Sequence, residues 1–412
     1  MALIVQKYGG TSVGSPDRIL NVAKRIIASK EAGNQVVVVV SAMGGATDGL
    51  IDLAKKVNKR PNEREMDMLL STGEQVSASL LAMAIEALGH KAISFNGFQV
   101  GILTDSSHTK AKILNINGDR IKKSLKKGNV VIVTGFQGRD EDDNITTLGR
   151  GGSDTSAVAI AAALLADECE IYTDVDGVYT ADPRIVKNAR KLSKIACDEM
   201  LELASLGAKV MQSRSIEFAK KFGVTIHVRS SFNNKIGTII TEEGDEMEAP
   251  VVRGVTSTIS EAKVTIIGVP DKPGIAAEIF REISEANINI DMIIQNVGEQ
   301  GTTDLSFTVE AADLDRLKDV MKPVEKNVSA KKITYDSDIG KVSIVGVGMK
   351  SHSGIAYKMF KVLAEKKINI KMISTSEIRV SVVVEQEKAA EAVNALHEAF
   401  ELDKEIIYEA KL

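Results

Sequence analysis

The chain has 412 residues, 26% charged and 44% apolar, with a formal net charge of −4. That length suits two or three domains, and the slightly acidic balance excludes a broad basic surface for nucleic acid. The longest apolar runs, 36–40 and 157–166, are too short to span a bilayer, and the start MALIVQKYGG lacks the pattern of a secretory signal, so no membrane association and a cytoplasmic location are expected. Cys169 and Cys197 have no CxxC spacing and read as structural thiols. The five histidines are scattered without zinc spacing, so no protein-held metal is expected.

Residues 3–6 read as a first strand, with Lys7-Tyr8-Gly9-Gly10-Thr11-Ser12 as a polar turn after it. Ile19, Val22, Ala23, Ile26 and Ile27 then fall on one face of a helix predicted over 17–32, which Gly33 stops. The β-branched run 35–40 reads as a buried parallel strand, followed by a small-residue turn from Ser41 to Thr47. Further strands are predicted at 91–95, at 130–134 before Gly135-Phe136-Gln137-Gly138, and at 170–173 before Asp174-Val175-Asp176-Gly177. Strands alternating with helices imply right-handed crossovers and a mostly parallel sheet covered on both faces. Ligands of such sheets bind beyond the carboxyl ends of the strands, which sets Lys7, Ser41, Gly135 and Asp174 along one edge.

The stretch 147–167 organises the rest. A flexible turn, Gly149-Arg150-Gly151-Gly152, leads through Ser153 and Asp154, read as helix N-caps, into the apolar helix 157–166. A glycine turn opening a helix offers backbone N–H groups and a positive dipole end to an anion, and Arg150 adds a planar cationic fork. DVDG at 174–177 lacks the ligand set of a calcium loop.

The chain turns acidic and polar around 241–246, read as a linker. Beyond it the sequence repeats: Val264-Thr-Ile-Ile-Gly-Val269 matches Val342-Ser-Ile-Val-Gly-Val347, and Gly274-Ile-Ala276 matches Gly354-Ile-Ala356. Each copy reads strand, helix, two strands, helix, strand, so a duplicated ferredoxin-like βαββαβ domain is expected, with a binding role. The expected domains are 1–245, 246–336 and 337–412, with 251–258 belonging to the first repeat or lent to the second.

KYGGTS, GRGGSDT, TDVDGVYTADPR, GAKVM and the two repeats, in this order, resemble aspartokinases of the amino-acid kinase family, in their lysine- and threonine-regulated bacterial form. The resemblance covers essentially the whole chain. It implies an α/β fold, an amino-acid-kinase αβα sandwich followed by two ACT domains, and transfer of phosphate from ATP to the β-carboxylate of L-aspartate. Lys7 then stabilises the γ-phosphate, with Gly9 and Gly10 letting backbone approach it, and Asp154 holds the Lys7 ammonium in place. No general base is needed, because the attacking carboxylate is already ionised at neutral pH.

By the same resemblance, Thr173, Asp174, Tyr179, Asp182, Arg184, Lys209 and Val210 bind the nucleotide, with Mg²⁺ carried on the ATP phosphates. Arg150 suits a substrate carboxylate and Glu74 the α-amino group, with Ser41, Thr47, Phe136, Gly151, Gly152 and Ser153 around them. In the first repeat, Asp271, Gly274, Ile275, Ala276, Asn289, Ile290, Asp291 and Gln295 match effector-binding positions. Asn369, Ile370, Ser374 and Glu377 match them in the second, whose loop differs. Lysine, threonine or both are the expected effectors, and a homo-oligomer through the ACT domains is expected. Glu242-Glu243-Gly244 before Met247 also suits internal initiation, giving a separate regulatory subunit with both repeats and no kinase domain. Kinases of another amino acid and a non-catalytic amino-acid sensor are the alternatives.

Overall fold

The structure is a computed structural model that describes residues 1–208, 210–242, 251–297 and 301–404, apart from the side chains of Val297, Lys350 and Ser351. Lys209 and Met247 lie outside the described residues. The chain forms two compact units, one of residues 1–179, 191–205 and 209–247, the other of 180–190, 206–208 and 248–412.

In the first unit the leading β-branched runs form β1 (Leu3–Tyr8) and β2 (Gln35–Val40), joined by α1 (Pro16–Glu31). The Ser15 hydroxyl caps α1 by accepting from the Arg18 amide, and the five apolar residues predicted for its inner face are all buried. Three helices that periodicity did not mark follow, α2 (Ala46–Val57), α3 (Glu63–Leu70) and α4 (Thr72–Ala87). The stretch Glu63–Ala87 is long and apolar enough to cross a membrane, but Ala78, Leu81, Ala84 and Ile85 pack in the sheet core as a core helix does. Next come β3 (Ala92–Phe95), β4 (Ile102–Thr104), β5 (Ile113–Ile116), α5 (Asp119–Lys126), β6 (Val130–Thr134), β7 (Gln137–Arg139) and β8 (Ile145–Thr147). The unit ends with α6 (Gly152–Leu164), β9 (Glu168–Thr173), β10 (Lys194–Ala196), α7 (Cys197–Ser205), α8 (Ser213–Phe222), β11 (Ile226–Ser230) and β12 (Thr238–Thr241).

Eight strands pair in the order β10-β12-β11-β9-β1-β2-β6-β3, parallel except for β11 with β12. A smaller sheet runs β5-β4-β7-β8. Tyr8, Val38, Val40, Ile132 and Tyr172 face α1 and α4 in one core. Because side chains alternate along a strand, Lys7 points to the opposite face, where α6 packs. Two details of α6 differ from expectation. Its cap is Gly151, in the left-handed region at φ 74 and without a side-chain cap bond, so Ser153 and Asp154 sit inside the first turn rather than capping it. The helix also stops at Leu164, because Leu165 turns left-handed at φ 54 and feeds β9. Both cysteines are buried and free. Burial pushes the Cys169 thiol far up and that of Cys197 up to about 11, so neither is a thiolate nucleophile at neutral pH.

The second unit opens with β13 (Gly254–Thr258). The first repeat comprises β14 (Glu261–Pro270), α9 (Ile275–Glu285), β15 (Ile290–Val297), β16 (Thr302–Glu310), α10 (Leu314–Asn327) and β17 (Lys332–Asp336). The second comprises β18 (Ile339–Val345), α11 (Ile355–Glu365), β19 (Met372–Thr375), β20 (Arg379–Glu385) and α12 (Ala389–Ala399). The sheets run β15-β16-β14-β17 and β19-β20-β18-β13, so β13 takes in the second repeat the place that β17 takes in the first. The repeats are tied by buried Lys341, which pairs with Glu261 and Asp291, and by Met292, Ile339, Met372 and Val383 in one apolar cluster. Segment 180–190 adds Ala181 and Val186 to the core of the second repeat, and the Thr180 hydroxyl hydrogen-bonds His397 Nε2 at 2.9 Å.

Candidate active site and effector site

In the first unit the sheet delivers its turns to one edge. The Gly9 amide donates to the Tyr172 carbonyl at 3.3 Å, the Ser41 amide to Tyr8 at 3.1 Å and the Gly135 amide to Val40 at 2.9 Å, so the ends of β9, β1, β2 and β6 lie side by side. Lys7 is the next-to-last residue of β1, not part of the turn, and its Nζ stands 2.5 Å from Asp154 Oδ1. The approach is that of an ion pair, without hydrogen-bond alignment at Oδ1, and both side chains are 11% exposed. Gly10 is needed for packing as much as for a ligand: a Cβ there would stand 2.8 Å from the Ala42 carbonyl oxygen.

The substrate residues gather around the first turn of α6. A Cβ on Gly135 would stand 2.8 Å from Ser153 Oγ, and one on Gly152 would press on Leu148 and Phe136. Phe136 itself is left-handed at φ 71; its amide donates to Ser156 Oγ at 3.0 Å and its carbonyl accepts from Leu148 at 2.8 Å. Such backbone strain persists where surrounding bonds over-determine it, and it collects at functional sites. Arg150 is exposed, with no hydrogen-bond or ion-pair partner among the described residues. Thr47 lies half-buried in the first turn of α2.

Glu74 sits in the first turn of α4. Its Oε1 accepts from the Ala42 amide at 3.1 Å, and its Oε2 is buried without a partner among the described residues. Burial pushes this carboxyl up to about 7, against the pull of the Ala42 amide. Ser12 Oγ and Thr155 Oγ1 are likewise buried and unpartnered; sequence reasoning passed over both, although KYGGTS and GRGGSDT contain them.

Thr173 ends β9 and Asp174 follows it, the Thr173 hydroxyl donating to Asp174 Oδ1 at 3.2 Å. Asp176 of DVDG is held by Asn233 Nδ2 at 2.6 Å and Lys235 Nζ at 3.0 Å, which draws its carboxyl below the usual range. Tyr179 bridges Lys191, and Val210 is half-buried ahead of α8. Asp182 and Arg184 belong to the second unit, where the guanidinium closes on the carboxylate with Nη2–Oδ2 2.6 Å. Glu168, Glu170 and His227 stand close enough to hold a cation, but Arg229 already occupies Glu170 at 2.7 Å, and the register sets Glu170 on the face opposite Lys7.

In the second unit, Asp271, Gly274, Ile275, Ala276 and Gln295 come together, with Lys272 and Pro273, around a cavity of about 480 Å³ at the N-terminus of α9. Asn289, Ile290 and Asp291 lie outside that lining, and Asp291 is paired with Lys341. Asn369 and Ile370 precede β19, Ser374 is on it, and Glu377 is in the turn after it.

Residues 2–230 match the amino acid kinase family, and residues 263–328 and 342–400 each match the ACT domain. The aspartokinase of Pseudomonas aeruginosa is 56% identical over 405 residues, covering 98% of this chain and 98% of its own. The chain belongs to the aspartate kinase family. Two solved structures share the aspartate kinase fold along nearly the whole length. Escherichia coli aspartokinase III in complex with aspartate and ADP, in the R-state, is 24% identical with a TM-score of 0.81, covering 96% of this chain and 99% of that one. The same enzyme in complex with lysine and aspartate, in the T-state, is 25% identical with a TM-score of 0.77, covering 97% and 99%. Aspartate kinases are phosphotransferases with a carboxyl acceptor, and this chain carries two ACT repeats after the kinase domain.

Proposed function

We propose that this aspartate kinase transfers the γ-phosphoryl group of MgATP to the β-carboxylate of L-aspartate at the β1–β2–β6–β9 edge. The observation that carries the reading is the Lys7–Asp154 pair beside the α6 N-terminus, which sets a cation and the positive end of a helix dipole where two anions must meet. Lys7 neutralises the transferring phosphoryl, the glycine turn approaches it through backbone, and Asp154 orients Lys7. Arg150 grips a carboxylate of aspartate and Glu74 its ammonium, with Ser41, Thr47, Phe136 and Ser153 shaping the pocket. Thr173, Asp174, Tyr179, Asp182, Arg184, Lys209 and Val210 serve the nucleotide. Mg²⁺ arrives as part of the substrate MgATP. A coupled assay of ADP formation with aspartate, against a panel of other amino acids, tests the assignment; equal turnover of glutamate would overturn it.

Glu74 gives the assay a pH signature. Below about pH 7 its carboxyl is protonated and neutral, so it no longer pairs with an ammonium. The KM for aspartate is expected to climb as pH falls through 7, about tenfold per unit. In Glu74→Gln it should be raised by about 10–100-fold and lose that slope. A wild-type KM flat from pH 8 to 6 removes Glu74 from its role.

Lysine, threonine or both are proposed as inhibitors acting at the α9 cavity. Its helix N-terminus suits an effector carboxylate, and Asp271 suits an effector ammonium. Gln295→Ala is expected to raise the inhibitory concentration of threonine about tenfold or more while turnover without effector stays within about twofold; unchanged inhibition would move the site elsewhere. The edge strands β15 and β19 carry exposed Ile293 and Ile373, which supports a homo-oligomer assembled through ACT sheets. A regulatory subunit starting at Met247 is proposed alongside; a single full-length product from the native gene would rule it out. A cytoplasmic setting accords with two buried, unlinked thiols.

A further inference from the structure

We infer that Asp67, with His108, Thr147 and Arg214, forms a buried anchor that holds the Arg150 turn in its substrate-binding shape. The inference rests on the assignment of Arg150 to a carboxylate of aspartate. Asp67 lies on α3 and is fully buried, and no lysine or arginine pairs with it among the described residues. An isolated buried carboxylate is costly unless donors saturate it. Four hydrogen bonds converge here. Thr147 Oγ1 donates to Oδ1 at 2.5 Å, the Thr109 amide reaches Oδ1 at 3.1 Å and Oδ2 at 3.0 Å, and His108 Nδ1 lies 2.8 Å from Oδ2. Their owners are two segments that touch: the Ala111 amide donates to the Thr147 carbonyl at 2.9 Å.

Arg214, on α8, clamps the same two segments from another side. Its Nη1 donates to the Leu148 carbonyl at 3.1 Å and its Nη2 to the Ala111 carbonyl at 2.9 Å. Immediately after Leu148 come Gly149 at φ 80, Arg150 and Gly151 at φ 74. Such glycines lose more freedom on ordering than any other residue, so the turn needs rigid ends. Its C-terminal end is α6; its N-terminal end is this anchor. A Cβ on Gly149 would stand 3.1 Å from the Thr109 carbonyl, so the turn rests directly on the anchored segment. Asp67, Thr147 and Arg214 are thus positioning residues that act through Arg150.

The test is steady-state kinetics of the full chain carrying Thr147→Val, Thr147→Ser, Arg150→Ala and the double variant Thr147→Val/Arg150→Ala. Thr147→Val keeps the shape and removes the donor. It is expected to raise the KM for aspartate about tenfold and leave the KM for ATP within about twofold, since small misplacements of a clamp are felt at that scale. Thr147→Ser should restore the wild-type value. In the Arg150→Ala background, Thr147→Val should add less than about twofold, because residues acting as one unit are not additive. Multiplicative effects in the double variant, or equal losses for both substrates, overturn the inference. If Arg150→Ala raises the aspartate KM and Thr147→Val does not, only the anchor falls; if Arg150→Ala is itself silent, both readings fall. Should Thr147→Val fold poorly, Arg214→Lys, which cannot bridge two carbonyls, gives the same comparison.

Discussion

Lys7→Ala is expected to lower kcat by about 10²–10³-fold while the KM for ATP changes little. Removing one positioned group that meets charge developing in the transition state typically costs about that much, about 2.7–4 kcal/mol. Lys7 is suited to this because it is nearly buried, 2.5 Å from Asp154 and on the sheet face that α6 covers. A cation held there needs no reorganisation when the phosphoryl group loosens from its leaving oxygen. The substitution has a second consequence: it leaves the Asp154 carboxylate buried without its charged partner, which destabilises the fold. Lys7→Ala/Asp154→Asn removes both charges, so its Tm should rise above that of Lys7→Ala while turnover stays low. Turnover within tenfold of wild type in either variant would take Lys7 out of the chemistry.

Arg150→Ala is expected to raise the KM for aspartate by about 30–100-fold, with kcat reduced far less. Charge-assisted hydrogen bonds to a carboxylate contribute about 1.5–3 kcal/mol, and the bidentate guanidinium fork adds orientation. Arg150 is exposed on a turn whose two ends are fastened, by α6 after it and by Leu148 before it. Arg150→Lys keeps the charge but not the fork, so most of the loss should persist. An unchanged aspartate KM in Arg150→Ala would mean that another group receives the carboxylate.

Much of the proposed catalytic edge was legible in the chain because it depends on local rules. A β-branched run bounded by glycine or serine becomes a buried strand wherever helices can cover it, as Gln35–Val40 does. The turns after such strands collect at one edge by topology, so the strand order alone sets Lys7, Ser41, Gly135 and Asp174 there. Helices α2, α3 and α4 went unmarked in the sequence; in α4 apolar residues lie all round the helix, exposed Val76 and Met83 among them, so no single stripe stands out. The capping role expected of Ser153 and Asp154 failed for a non-local reason: Asp154 is claimed by Lys7, so Gly151 caps the helix. Asp291, read as an effector contact, is likewise paired with Lys341 from the other repeat.

The sequence by itself determined the strand–turn–helix units, the duplicated repeats and the residue types at the anionic site, because each follows from spacing along one stretch of chain. Only the tertiary structure decided that β13 completes the second repeat's sheet, that segment 180–190 packs in that repeat's core, and that Asp67 and Arg214 converge beneath the Arg150 turn. Those pairings join residues tens to hundreds of positions apart. A buried carboxylate or an unpaired sheet edge fixes what kind of partner is needed, and only the folded chain selects which one.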